Sequence, residues 1–107
     1  MPSENVGMTG TWIPKAGRDE ECLKLAKELM QSTHADDKGC ICYFFDQKAN
    51  NPRELVLYER WENMGALRAH IGRLQAVYGP PAQGGQLPAA IVEPFEKMDM
   101  TRLRVIE

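Results

Sequence analysis

Alternation of apolar and polar positions near the N-terminus predicts a first strand. Over residues 6–13 every second residue, starting with Val6, is apolar or glycine, which is the period of a strand. Pro14 and Gly17 end this pattern. Three acidic residues then form a first helical turn, where the helix dipole favours negative charge, and apolar residues recur three and four positions apart. We predict a helix over residues 18–33.

Two further apolar stretches follow a polar loop over residues 35–39. Residues 40–46 are dense in aromatic side chains, and residues 54–61 are rich in apolar ones. Asn50, Asn51 and Pro52 lie between them and are strong turn formers. We therefore predict a hairpin with strands at 40–46 and 54–61, joined by a longer turn over residues 47–52.

A second long helix is predicted directly after this hairpin. Asn63 is a residue type that caps helix N-termini. One face of the helix carries an apolar row interrupted by a histidine: Leu67, His70, Ile71, Leu74 and Tyr78. Residues 79–85 contain two prolines and three glycines and cannot continue a helix, so we expect a loop. A short helix over 87–92 and a last strand over 95–106 complete the chain.

The order of these elements predicts the fold class. Strand, helix, strand, strand, helix, strand is typical of an α+β, ferredoxin-like βαββαβ fold, with a four-stranded antiparallel sheet and two helices on one face. At 107 residues the chain corresponds to a single domain, residues 1–107.

The second strand predicts a homodimer. Cys40, Cys42 and Phe44 alternate with Ile41, Tyr43 and Phe45, so both faces of the strand are apolar. Two helices cover only one face of such a sheet. We expect a second copy to cover the other face, because each buried aromatic contributes on the order of 2 kcal/mol from apolar area alone. Sheet-to-sheet pairing about a twofold axis is the simplest arrangement.

Composition excludes several classes of partner. The formal net charge is −2 and the chain has no basic run, so nucleic acid is not expected as a partner. No apolar run approaches the roughly 20 residues that a membrane-spanning helix needs. Residues 1–5 lack the features of a secretory signal. We therefore expect a cytoplasmic protein that does not bind membranes.

The sulfur-containing residues are interpreted as packing groups. Three cysteines are an odd number, and in a reducing compartment a disulfide framework is not expected. Cys40 and Cys42 lie two apart on a strand and are expected on one face, but no other cluster supplies further metal ligands. The methionines have the spacing of core and interface residues. We expect neither a metal site nor a cofactor, since dinucleotide and phosphate-binding motifs are also missing.

The junction between the third strand and the second helix carries the candidate chemistry. In a regular strand Leu57, Glu59 and Trp61 share a face with Leu55, and we assign that face to the helices, toward which Leu67, His70 and Leu74 also point. Burial should raise the pKa of Glu59, and a charged His70 nearby would oppose this. Such a pair can act as a general base or proton relay. Trp61 offers a flat surface on which a planar ring could stack.

The pattern resembles the antibiotic biosynthesis monooxygenase family, whose members form dimeric α+β barrels. The likeness covers about residues 6–74. It is carried by three groups of residues: Pro14-Lys15-Ala16-Gly17 before the first helix, Gly39-Cys40-Ile41-Cys42-Tyr43 at the second strand, and Leu57-Tyr58-Glu59-Arg60-Trp61-Glu62 followed by Leu67 and His70.

The resemblance implies a cofactor-independent monooxygenase that oxidises a quinol or anthrone with O₂. His70 is then the candidate base, and Glu59 orients it or shares its proton. Trp61, Leu57, Leu67 and Leu74 are the candidate substrate-binding residues.

Three alternatives stay open. Glu59 and His70 could hydrogen-bond to one another, or to the backbone, only to fix the strand to the helix, and Trp61 could be only a core residue. The family includes haem-binding and haem-degrading members, and His70 could serve as an axial ligand. The chain could also be a non-enzymatic dimer that binds a small apolar molecule or another protein.

Overall fold

The computed structural model describes residues 4–106 as one sheet covered by helices on one side. The expectations for residues 1–3 and for Glu107, including part of the signal-peptide argument, lie outside this range. The elements in chain order are β1 Val6–Pro14, α1 Asp19–Asp36, β2 Cys40–Lys48, β3 Asn51–Trp61, α2 Met64–Tyr78, α3 Ala89–Val92, β4 Phe95–Met98 and β5 Thr101–Leu103.

The sheet has the antiparallel order β2-β3-β1-β4, and β5 also pairs with β1. This is the order of a ferredoxin-like α+β fold, so the predicted fold class is confirmed. The sheet stays open within one chain. No helix within residues 4–106 combines the length and the apolar character needed to cross a membrane.

The predicted long turn in the hairpin is wrong. β2 and β3 continue until Lys48 pairs with Asn51, which leaves only a two-residue connection. Pro52 lies near the start of β3. The pairing between β1 and β3 begins only at Leu55, which is opposite Trp12. The missing N–H of the proline therefore interrupts no bonds to β1.

The predicted last strand is divided into β4 and β5, both of which pair with β1. Between them the backbone of Asp99 lies directly over Gly10 of β1. A Cβ atom at Gly10 would come within 1.8 Å of the Asp99 carbonyl oxygen, which is a severe clash. The glycine thus permits the break, and the break brings Met100 against the inner face of the sheet, where its sulfur accepts a hydrogen bond from Trp12 Nε1 at 3.2 Å.

A register shift in β2 corrects the predicted assignment of its faces. The shift lies between Cys40, which pairs with Trp61, and Cys42, which pairs with Arg60. Cys40 therefore packs against the core and Cys42 does not share its face, contrary to the prediction. Tyr43 and Phe45 are buried as predicted for one face, but Ile41 is 48% exposed because it lies in the irregular segment.

The inner face of the sheet and the two long helices enclose the core. Its buried apolar side chains from the sheet include Trp12, Tyr43, Phe45, Leu55, Leu57 and Trp61, and those from the helices include Cys22, Ala26, Leu29, Leu67 and Leu74. The opposite, outer face carries Phe44 and Tyr58, whose rings pack against each other with centroids 5.8 Å apart. Phe44 is 40% exposed in the single chain.

Candidate functional site

The turn between β3 and α2 fixes the position of His70. The side chain of Asn63 accepts a hydrogen bond from the backbone N–H of Ala66 at 2.9 Å, so the predicted N-cap is confirmed. The helix that starts there directs His70 toward the sheet, where only 2% of its surface is exposed. Its ring packs against Trp61, with centroids 4.6 Å apart, and against Tyr43 at 5.3 Å.

The carboxylate that holds His70 is Asp37, which the sequence prediction assigned only to a polar loop. Asp37 lies immediately after α1, and its Oδ2 is 2.6 Å from His70 Nδ1. Glu59, the predicted partner, instead hydrogen-bonds with Trp61. The predicted pairing of Glu59 with His70 is therefore replaced by a pairing between the end of α1 and the middle of α2.

Arg73 completes this arrangement from the next turn of α2. Its Nε donates to Asp37 Oδ1 at 2.6 Å, and one terminal nitrogen donates to Oδ2 at 3.0 Å and to Ser32 Oγ at 3.2 Å. Burial alone would raise the pKa of Asp37, but the hydrogen bonds from Arg73 and His70 hold it below its ordinary value. Asp37 is therefore an ionised acceptor at neutral pH.

The charge state of His70 follows from these neighbours. Burial lowers the pKa of His70, and the opposing influence of Asp37 does not restore it to its ordinary value. His70 is thus neutral at pH 7. An ionised carboxylate can only accept hydrogen bonds. Nδ1 of His70 therefore carries the ring proton and donates a hydrogen bond to Asp37. The lone pair of the neutral ring is then on Nε2, the nitrogen that is left to act on another molecule.

Glu59 occupies a different environment in the centre of the sheet. Its Oε1 accepts a hydrogen bond from Trp61 Nε1 at 2.7 Å, and no cation pairs with it within residues 4–106. Burial raises the pKa of Glu59 to about 7, although the Trp61 bond opposes the shift. Glu59 can therefore accept or release a proton near neutral pH, as a proton carrier must.

A cavity of about 640 Å³ lies between the inner face of the sheet, α2 and the loop before α3. Its volume falls in the range of sites for small organic molecules. The lining is mostly apolar and comes from Met8, Trp12, Tyr43, Leu57, Glu59, Met64, Leu67, Arg68, His70, Ile71, residues 82–87, Val92, Met98, Met100 and Arg102. Four of these side chains are methionines, whose flexible thioethers can adapt to ligands of different shape.

The cavity includes some of the predicted site residues and excludes others. His70, Glu59, Leu57 and Leu67 line it. Two predicted substrate-binding residues, Trp61 and Leu74, do not: Trp61 is fully buried behind His70, and Leu74 is 1% exposed within the core.

Trp12 and Tyr43, rather than Trp61, are the aromatic side chains that line the cavity. Trp12 is held edge-on by Phe45 and Phe95, with ring centroids 5.0 and 5.1 Å away. Burial raises the pKa of Tyr43 well above its ordinary value, so its hydroxyl stays protonated and can donate a hydrogen bond.

Within the described part of the chain, no group of three or more His, Cys, Asp or Glu side chains is arranged so that it could hold a metal ion. The three cysteines are free thiols. Burial raises the pKa of Cys22 and of Cys40 to about 11, so both are protonated at neutral pH.

Comparison with known proteins assigns this chain to a family. The model of the family described as antibiotic biosynthesis monooxygenase matches residues 6–74, which include β1, α1, β2, β3 and most of α2. The chain belongs to the antibiotic biosynthesis monooxygenase family. The match ends at Leu74, so Asp37, Glu59, His70 and Arg73 lie inside it, whereas the loop and strands that close the cavity lie outside.

Solved structures agree with this family fold. A Caulobacter crescentus CB15 protein, provisionally named an antibiotic biosynthesis monooxygenase, is 18% identical, with 98% of this chain and 92% of that chain covered and a TM-score of 0.77. A Deinococcus radiodurans protein with the same provisional name is 22% identical, with 95% and 93% covered and a TM-score of 0.73. A Mycobacterium tuberculosis protein is 24% identical, with 96% of each chain covered and a TM-score of 0.70. At these identities the similarity establishes the fold alone, and none of the curated proteins matches the chain.

Proposed function

We propose that this family member is a cofactor-independent monooxygenase that oxidises a small electron-rich aromatic, of the quinol or anthrone type, with O₂. The observation that carries the proposal is His70, a neutral imidazole fixed by an ionised Asp37 at the wall of a largely apolar cavity. A base of this kind can remove a proton from an acidic phenol or anthrone carbon. Membership of the family supports the same class of reaction.

The reaction balances without a cofactor. His70 Nε2 removes a proton, and the resulting electron-rich anion transfers electrons to O₂ and forms a carbon–oxygen bond to it. The O–O bond then breaks, so that one oxygen atom stays on the substrate and the other leaves as water. For an anthrone, the CH₂ group becomes a carbonyl through loss of four electrons, and O₂ accepts all four.

Two further groups in the cavity support these steps. Glu59, with a pKa of about 7, would return a proton to the departing oxygen, and Tyr43 would donate a hydrogen bond to a developing oxyanion. Trp12 and the methionines offer apolar contacts to the flat body of the substrate. In this proposal Asp37 acts as a positioning residue, because it touches His70 and does not line the cavity.

The test is substrate-dependent O₂ uptake with a panel of quinols and anthrones. His70→Ala should lower the uptake rate by at least about a hundredfold, since general base catalysis typically contributes that much. His34→Ala is the matched control, because His34 is an exposed residue near the end of α1. If the panel gives no uptake above buffer, or if the two variants behave alike, the proposed function is wrong.

The position of His70 on an apolar cavity wall also favours a second candidate, haem binding. Titration with haemin separates the two. Haem ligation predicts a Soret shift that disappears in His70→Ala and persists in His34→Ala. The monooxygenase proposal predicts no such shift, and a non-enzymatic binding protein would show ligand binding without O₂ uptake.

We include homodimer formation and a cytoplasmic location in the proposal. The outer face of the sheet exposes part of Phe44, and Nε of Arg60 on the same face is buried without a hydrogen-bond partner in residues 4–106. The sheet of a partner subunit, placed against this face, would cover Phe44 and could supply a hydrogen-bond acceptor for Arg60 Nε. The three free thiols are consistent with a reducing compartment.

Sedimentation of the purified chain tests the dimer. The wild type should have twice the mass of one chain, and Phe44→Asp should shift it toward the monomer. Val77→Asp is the control, because Val77 is 63% exposed on α2, on the opposite side of the sheet. A wild type that is monomeric, or equal dissociation of both variants, contradicts the proposed interface.

A further inference from the structure

The cavity contains two arginines that the proposed reaction does not use. Arg68 comes from α2, one turn from both Met64 and Ile71, and Arg102 comes from β5; both are exposed at the cavity. Neither forms a hydrogen bond or an ion pair with any other side chain in residues 4–106. This contrasts with Arg18, Arg53 and Arg73, which all pair with carboxylates.

The charge balance of the cavity is therefore positive. The arginines are permanently charged, whereas His70 is neutral. Glu59 is the one carboxylate among the described lining residues, and it is only partly ionised near pH 7. A mostly apolar cavity with unpaired guanidinium groups is suited to a ligand that has an apolar body and an anionic group.

The register of the sheet gives the distance between the two ends of such a ligand. Tyr43 pairs with Glu59, Glu59 with Met8, and Met8 with Arg102, so these four residues form one row across β2, β3, β1 and β5. All four line the cavity. Two strand spacings separate Glu59 from Arg102, which is about 10 Å. A fused-ring aromatic spans this distance, with Met8 beneath its middle.

We propose that the cavity selects aromatic substrates bearing a carboxylate or similar anionic group, which Arg102 and Arg68 bind while the reacting ring lies against His70, Tyr43 and Glu59. This inference rests on the proposed function, because it names the substrate class for the same site.

Binding of two fully oxidised probes, which cannot give electrons to O₂, tests this selectivity apart from turnover. Anthraquinone-2-carboxylate and anthraquinone-2-carboxamide share one flat body, and only the first is anionic. By calorimetry the carboxylate should bind about tenfold more tightly, since each exposed charge contact is worth about a factor of three. Arg102→Gln and Arg68→Gln should each reduce this preference about threefold.

Arg104→Gln is the matched control, because Arg104 is exposed, lies two residues beyond Arg102 and does not line the cavity. It should leave the preference unchanged. The carboxamide affinity, measured in every variant, reports whether the cavity is intact. Equal binding of the two probes to the wild type, binding of neither, or an equal loss of preference in Arg104→Gln and Arg102→Gln would overturn the inference.

The two proposals fail separately. An anion preference that depends on Arg102 and Arg68, found together with no O₂ uptake from any quinol or anthrone, would refute the monooxygenase proposal and support the selectivity. O₂ uptake that depends on His70, found together with equal binding of both probes, would support the monooxygenase and refute the selectivity.

Discussion

Two buried carboxylates near His70 have opposite protonation behaviour. Asp37 lies at the contact between the end of α1 and α2, where Arg73 and His70 donate to it and keep its pKa low. Glu59 lies in the middle of the sheet, where the neutral indole of Trp61 is its donor and its pKa rises to about 7. The difference arises from the charge of the partners, since both side chains are removed from water.

This comparison assigns different tasks to the two groups. A carboxylate that is always ionised can hold an imidazole in one tautomer, and Asp37 does so for His70. A carboxylate that titrates near neutral pH can move protons, which suits Glu59. The following changes test this division, in order of decreasing expected effect.

Replacing Asp37 with Asn should have the largest effect. Asparagine keeps the shape but removes the charge that orients Nδ1–H of His70, so the O₂ uptake rate should fall by about a hundredfold. Asp36→Asn is the control, because Asp36 is the exposed preceding residue on α1. Thermal unfolding of both variants verifies that they are folded. An unchanged rate in a folded Asp37→Asn variant would remove Asp37 from its positioning role.

Replacing Glu59 with Gln should change the pH dependence of stability. The pKa of Glu59 is about 7 in the folded chain and 4.5 ordinarily, so its contribution to stability is greatest below pH 4.5 and is lost as the pH rises through about 7. A glutamine side chain cannot ionise and avoids this loss. By urea unfolding, Glu59→Gln should gain about 3 kcal/mol over the wild type on going from pH 4.5 to pH 8.

Glu62→Gln is the control for this measurement, since Glu62 is an exposed carboxylate just after β3. The free energy of unfolding of Glu62→Gln should change with pH as that of the wild type does, between about pH 4.5 and pH 8. If the free energy of unfolding of Glu59→Gln also follows the wild type across this pH range, Glu59 is not a buried carboxyl with a raised pKa. The contrast with Asp37 then disappears.

Replacing Trp61 with Phe should have a smaller, specific effect. Loss of the indole N–H removes the hydrogen bond that opposes the rise in the pKa of Glu59. The pH-dependent fall in stability should therefore extend to higher pH, by about one unit or less. Trp12→Phe is the control, because Trp12 donates to the Met100 sulfur. A shift toward lower pH in Trp61→Phe, or equal shifts in both, would show that Trp61 does not stabilise the charged Glu59.

Hydrophobic periodicity predicted most of the fold because the elements are amphipathic or uniformly apolar. The helix cap at Asn63, the order of the elements and the inward direction of His70 all follow from local patterns. The break between β4 and β5 and the register shift near Cys40 do not. Both depend on backbone contacts between distant parts of the chain, such as Asp99 over Gly10.

The candidate site was predicted in part. Glu59 and His70 were recognisable because charged or polar groups interrupt apolar faces, and burial does raise the pKa of Glu59 as expected. Asp37 was missed because nothing local distinguishes it from Asp36. One available signal was Arg73, three residues after His70 and thus on the same helix face, which indicates that a buried acid lies nearby.

In the proposed site, His70 is a neutral base whose Nδ1–H hydrogen-bonds to Asp37. Nitrogen-15 NMR of the histidine side chains across a pH titration measures this directly, and His70→Gln assigns the signal. We expect a neutral ring protonated at Nδ1 at pH 7, with a pKa below the ordinary value for histidine. A ring protonated at Nε2, or a doubly protonated ring at pH 7, would contradict it.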